Sequence, residues 1–214
     1  MASSMKKDLV QATYDIIKLE GVEGVKIRRV AQAVGCTSTV IYKHFDDVDH
    51  LIAFASLKFL DSYIRDFKRI WNVSSKDILS MNLELWECFA DYAFQDIEIF
   101  EPLFWGKYKS VLGDMLYEHY ELDKKEMEGF DGLMVTVLFN EDLREREYIV
   151  ERRAAASGYL ELKDIDELSD LVNCLFHGML LEYKDIYKQS DMAKEGKDKF
   201  ISILTSIVDK YRIK

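Results

Sequence analysis

Proline occurs once in the 214 residues, as Pro102, and glycine ten times. Strand-rich folds spend turn residues at every chain reversal, so this shortage excludes a sandwich or barrel and predicts an all-α architecture. Cysteine is scarce too: Cys36, Cys88 and Cys174 are odd in number and widely spaced, which excludes a disulfide scaffold and suits a reducing cytoplasm. No run approaches the roughly 18 to 20 apolar residues of a membrane span, so no membrane association is expected. The opening MASSMKK is too short and polar for a secretory signal. Signatures of chemistry are missing as well. There is no GxSxG, phosphate loop, dinucleotide fingerprint or CxxC, and neither an enzyme nor a cofactor is expected. Asp123 to Gly129 has the look of a calcium loop, but Lys125 and Met127 occupy its ligand positions. Cys174 and His177 share a helix face, yet a metal would need further ligands, so no metal site is expected.

What the chain does have is ordinary globular composition, 49% hydrophobic and 32% charged, with a net charge of −10. The charge is uneven. Residues 1–45 hold seven Lys/Arg against four Asp/Glu, a net of +3, and the remaining residues hold 22 against 35, a net of −13. A weakly basic head on an acidic body directs the search for an anionic partner to the head.

Apolar periodicity divides the chain into helices. Residues 5–20 carry Leu9, Ala12, Thr13, Ile16 and Ile17 on one stripe, ended by Gly21. A second helix covers 27–34 and breaks at Gly35. A third covers 38–45, capped by Thr37 or Ser38, and a fourth covers 48–71, capped by Asp46 or Asp47. Further helices are expected over 76–95, 107–121, 141–157, 164–188 and 193–211, with Pro102 and Gly106 interrupting the segment between the first two of these. LMVTVLF, 133–139, is β-branched, but an isolated strand has no place in a helical domain, so it reads as a buried helix.

The stretch VGCTSTVIYKHF, residues 34–45, holds a glycine turn followed by a short helix rich in hydroxyl and donor side chains. A helix about 12 Å long fits a DNA major groove, with small N-terminal residues at the base edges and donors at phosphate oxygens. Candidate DNA contacts are Thr37, Ser38, Thr39 and Val40 for bases, and Tyr42, Lys43 and His44 for backbone; Arg28 and Arg29 on the preceding helix are candidates for phosphate. The run EGVEGVKIRRVAQAVGCTSTVIYKHFDDVDHL resembles the helix-turn-helix of the TetR family of bacterial transcriptional regulators. The shared features are Glu20-Gly21, Val30-Ala31, Gly35, Thr37, Ile41-Tyr42, Phe45 and Leu51. Two departures stand out. Lys26 replaces the usual hydroxyl cap of the second helix, and Val48, flanked by Asp46, Asp47 and Asp49, stands where the family often places a phosphate-binding lysine.

The resemblance implies a head, residues 1–46, that binds a pseudo-palindromic double-stranded DNA operator, and a helical body, 47–214, for ligand binding and dimerisation. It implies a cytoplasmic homodimeric repressor released by a small-molecule effector. An alternative is a ligand-binding or protein-interaction module of the same fold with weak or lost operator binding. Trp86, Phe89, Tyr92, Phe100, Phe104, Trp105 and Tyr108 form the candidate pocket for an apolar or aromatic effector. The expected dimer seam is Leu168, Leu171, Val172, Leu175, Met179, Phe200, Leu204 and Ile207 on the last two helices.

Overall fold

The computed structural model describes residues 2–74, 76–121 and 129–213. They form two compact units, one ending at Asp61 and the other starting at Ser62. The described residues make eleven α-helices and no strand. The candidate calcium loop, apart from Gly129, lies outside the described residues.

The first unit holds α1 (Ala2–Glu20), α2 (Ile27–Val34), α3 (Ser38–Ile41) and the start of α4 (Val48–Val73). Its core is the stripe that periodicity marks: Leu9, Ile16 and Ile17 of α1, Val30 and Ala31 of α2, then Ile41, Phe45, Leu51 and Phe54, all buried. Thr13 is buried among them, and its hydroxyl donates to the Leu9 carbonyl at 2.8 Å, so this buried hydroxyl is not stranded. Gly35 ends α2 in the left-handed region, φ 72° and ψ 33°. Its N–H donates to the Gln32 carbonyl and that of Cys36 to Ala31, which together satisfy two terminal carbonyls of α2.

Two local expectations need correction. α3 stops at Ile41 instead of Phe45, because Lys43 and His44 turn back three residues, to Val40 and Ile41, and tighten the helix into successive turns. Thr37 occupies the cap position of α3 without a side-chain cap bond. At α4 the cap is Asp47, whose carboxylate accepts from the His50 N–H at 2.8 Å.

The second unit is built around α5 (Ile78–Gln95), which packs against α9 (Leu143–Ala156), α10 (Ile165–Tyr183) and α11 (Met192–Tyr211). Between α5 and α9 the chain forms α6 (Ile97–Trp105), α7 (Leu112–Glu121) and α8 (Gly132–Leu138). The ambiguous 133–139 segment is thus helical, with Met134, Val137 and Leu138 buried. Pro102 does not interrupt its segment; it sits inside α6, and the Gly106 N–H closes that helix on the Pro102 carbonyl at 2.9 Å. The helix expected over 107–121 begins at Leu112, after a single 3-10 turn. That expected to reach residue 188 ends at Tyr183 in a run of turns.

Aromatic rings fill the centre of this unit. Phe176 lies 4.9 Å from Phe200, 5.1 Å from Trp86 and 5.2 Å from Phe89, in tilted and edge-on arrangements. Asp77 caps α5 and accepts from Arg212, just beyond α11, at 2.5 Å, fastening the chain end to the start of the central helix.

Candidate functional site

In the first unit α1 supports α2, and α2 supports α3. Ile41 and Phe45 anchor the segment after Gly35 by burial. Their neighbours on the other side point outward: Thr37, Thr39, Tyr42 and Lys43 are exposed, and Ser38, Val40 and His44 are half-buried. The seven candidates on this segment thus lie along one short stretch, with its hydroxyls at the start and Tyr42-Lys43-His44 at the end. Arg28 and Arg29 are also exposed. Arg29 is not idle: its guanidinium forms a two-pronged ion pair with the Glu20 carboxylate, which lowers the Glu20 pKa and raises that of Arg29 through the shared hydrogen bonds. Arg29 therefore ties α2 to the end of α1, and Arg28 is the arginine with its charge turned outward. Val48 is half-buried, while Asp46 and Asp49 are exposed.

The second unit contains a small, partly open cavity of about 40 Å³. Its apolar wall includes Phe67, Leu85, Phe89, Val137, Leu143 and Val150, and its polar wall comprises Tyr63, Asn82, Trp86, Arg146 and Glu147. Of the aromatic set expected to form a pocket, Trp86 and Phe89 line this cavity. Phe100 and Phe104 are fully buried around it, each within 5.8 Å of Phe89 by ring centroids. Tyr92 donates to Asp66 at 2.7 Å and lines a separate, open cleft. Trp105 stacks flat on His177 at 4.3 Å. Tyr108, half-buried, lies outside the cavity lining, its ring under the Lys107 ammonium.

The two charged members of the polar wall come from α9, whose sequence LREREYIVERRAAA looks like a solvated helix. Its inner stripe nevertheless includes Leu143, Arg146, Glu147, Val150, Glu151 and Ala154, all buried. The signal in the sequence was positional: the three charges share the register of Leu143, Val150 and Ala154. Glu147 accepts from Asn82 at 2.8 Å and from the Trp86 indole N–H at 2.7 Å. Burial raises its pKa although these donors, and Glu151, pull it down. Glu151, four residues on, accepts from the Ser169 hydroxyl, and burial together with the Glu147 charge pushes its pKa up to about 10. The pair therefore holds at least one proton at neutral pH, so two like charges need not coexist one helical turn apart.

Arg146 is handled differently. Its Nε donates to the Asn140 carbonyl at 2.7 Å, its guanidinium lies over the Phe104 ring at 5.0 Å, and the Tyr63 hydroxyl is beside it. Burial lowers its pKa, but a guanidinium does not lose its proton at neutral pH. Its Nη2 is buried without a hydrogen-bond partner among the described residues.

Five members of the expected dimer seam, Leu168, Val172, Met179, Phe200 and Leu204, are buried within the single chain. The apolar face left at the surface of α10 and α11 is Leu171, Leu175, Leu181, Ile203 and Ile207. Among the described residues no cluster of side chains fits a metal ion, and no helix is long and apolar enough to cross a membrane.

α2, the turn at Gly35 and α3 have the order of a helix-turn-helix. The fold of the chain is that of the TetR family. A TetR-family transcriptional regulator of Mesorhizobium loti aligns with 100% of this chain and 99% of its own, with a TM-score of 0.60 at 11% identity. The TetR-family regulator PfmR of Thermus thermophilus aligns with 94% and 97%, with a TM-score of 0.53 at 15% identity. In sequence, an HTH-type transcriptional regulator of Staphylococcus aureus is 28% identical over 94 residues, 44% of this chain and 48% of the relative. The match therefore spans about half the length of that relative. No family model matches the chain. The relatives named here are described as transcriptional regulators.

Proposed function

We propose that the protein is a dimeric, effector-responsive transcriptional repressor, with residues 1–46 as its DNA-binding head and 47–214 as its effector-binding and dimerisation body. The observation that carries this reading is the segment after Gly35. Burial of Ile41 and Phe45 leaves Thr37, Thr39, Tyr42 and Lys43 outward, in the order that base and phosphate contacts require. The effector occupies the cavity beside Trp86 and Phe89, and α4, which enters both compact units, carries its effect to the head. The dimer reads a pseudo-palindromic operator and releases it on binding effector. The setting of such a protein is the cytoplasm.

Fluorescence anisotropy with DNA from upstream of the protein's own gene tests this. Thr39→Ala should change the preference among operator variants, since a lost base contact costs about 1–3 kcal/mol at its own position. Lys43→Ala should weaken all sequences alike and flatten the salt slope by about one unit. The reading fails if the wild-type protein shows no preference for that DNA over unrelated duplex. That outcome would favour a second reading, a binding module without an operator, to which the exposed Asp46 and Asp49 around Val48 lend support. Val48→Lys should then restore affinity for DNA of any sequence.

A further inference from the structure

Arg146 is 6% exposed and lines the body cavity. Among the described residues no carboxylate pairs with it, and its Nη2 reaches no acceptor. Two opposite charges face the same small space, Arg146 and Glu147, and they are not equivalent. Glu147 has two neutral donors, Asn82 and Trp86, and shares protons with Glu151, so it needs nothing from a ligand. A carboxyl can also become neutral where it is buried; a guanidinium cannot. Arg146 is thus a buried charge that no carboxylate touches: Asp142 and Glu141 act on it only from a distance, and its Nη2 is left for a ligand.

We propose that the cavity takes the head of an anionic amphipath, a monocarboxylate whose carboxylate pairs with the Arg146 guanidinium and whose adjoining carbons lie against Phe67, Phe89 and Val137, the rest of its tail leaving through the open side. The proposal rests on the reading of the body as an effector domain and names the chemical class of that effector. The planar guanidinium supplies parallel N–H donors that match a carboxylate and are wasted on an alcohol or a cation. The phenol of Tyr63, beside Arg146 on the same wall, is a donor that adds a further contact to a bound anion. The six apolar side chains of the wall select for a hydrocarbon body over a small inorganic anion.

Three ligands with one apolar tail and different heads test this on the purified full-length protein by calorimetry: octanoate, octanol and octyltrimethylammonium. Octanoate should bind about ten- to a hundredfold more tightly than octanol, the range expected for a hydrogen-bonded charge contact. The octyl cation should bind most weakly. Arg146→Met should abolish the preference for octanoate over octanol, and Arg146→Lys should keep part of it. If either variant fails to fold by circular dichroism, the ranking of the three heads on the wild type decides alone. Octanoate that fails to bind, binds no better than octanol, or binds less well than the cation overturns the proposal. Adding each ligand to the protein–DNA complex separates this from the regulatory reading. Octanoate bound without any change in DNA affinity keeps the ligand class and removes the regulator; DNA released by the octyl cation alone keeps the regulator and overturns the ligand class.

Discussion

Glu151 is the residue where local physics is most out of line with composition. A carboxyl with an ordinary pKa near 4.5 is pushed up to about 10 by burial and by the Glu147 charge. The folded state therefore binds a proton that the unfolded state has released, and folding stability falls as pH rises between those two values. The slope for one retained proton is at most about 1.4 kcal/mol per pH unit. Glu151→Gln keeps an acceptor for Ser169 and has no proton to lose. It should be more stable than the wild type, by a margin that widens from about pH 6 to about pH 9 in urea titrations. A margin constant across that range would mean that Glu151 is ionised in the folded protein. Glu147 and Arg146 belong to the same stripe, and the three explain why α9 could be located in the sequence while its function could not. Periodicity registers apolar positions, and a charged residue in an apolar register looks like an interruption until its partners on other helices are known. For Glu147 those partners, Asn82 and Trp86, are 65 and 61 residues away.

At the scale of elements, Gly196 of α11 lies tight against Phe94 of α5 and Tyr183 of α10. The residue is buried, and a Cβ placed there would stand 2.6 Å from the Phe94 ring and 3.1 Å from Tyr183. Phe94 is fully buried and cannot swing away. An alanine in a helix interior gains about 1 kcal/mol over glycine, whereas overpacking a closed core costs about 1–3 kcal/mol. The clash should win: Gly196→Ala is expected to lower the unfolding free energy by about 1 kcal/mol. A variant that is more stable than the wild type in denaturant melts would show that the helices can separate without loss. Such contacts also mark the limit of what periodicity reveals. The boundaries of α2 came directly from Ile27, Val30 and Ala31 and from Gly35, because caps and breakers act within a turn. α6 was invisible, since Pro102 suggests a break; a proline forfeits one hydrogen bond, and five buried apolar side chains of α6 outweigh that loss. The head's outward row could be read because short-range burial of Ile41 and Phe45 dictates it. The cavity could be read in part: Trp86 and Phe89 stood out as aromatic, but its charged wall depends on tertiary placement.

For the whole molecule, the proposed dimer raises the question of which face of α10 and α11 would meet a second copy. Leu171 is 40% exposed, Leu181 48% and Ile203 36%, with Leu175 and Ile207 half-buried between them. Leu171 and Leu175 are four residues apart, as are Ile203 and Ile207, so each pair shares a helix face, and Leu181 adds an exposed apolar side chain near the end of α10. Exposed apolar side chains of that kind are costly to leave in water, so this is the face expected to meet the second copy. Leu204, by contrast, is turned into the enclosed side of α11 at 0% exposure. The two sides predict different outcomes for one substitution. Leu181→Glu should give a folded monomer in sedimentation velocity with an unchanged helical spectrum, whereas Leu204→Glu should unfold the body. The monomer also has a consequence for DNA. A dimer making about six phosphate contacts should lose affinity with a logarithmic salt slope near −5, and a single head should show about half that slope. A Leu181→Glu protein that sediments as a dimer would place the two-fold axis elsewhere on the body. One that is monomeric yet keeps the full slope would mean that a single head makes all the phosphate contacts.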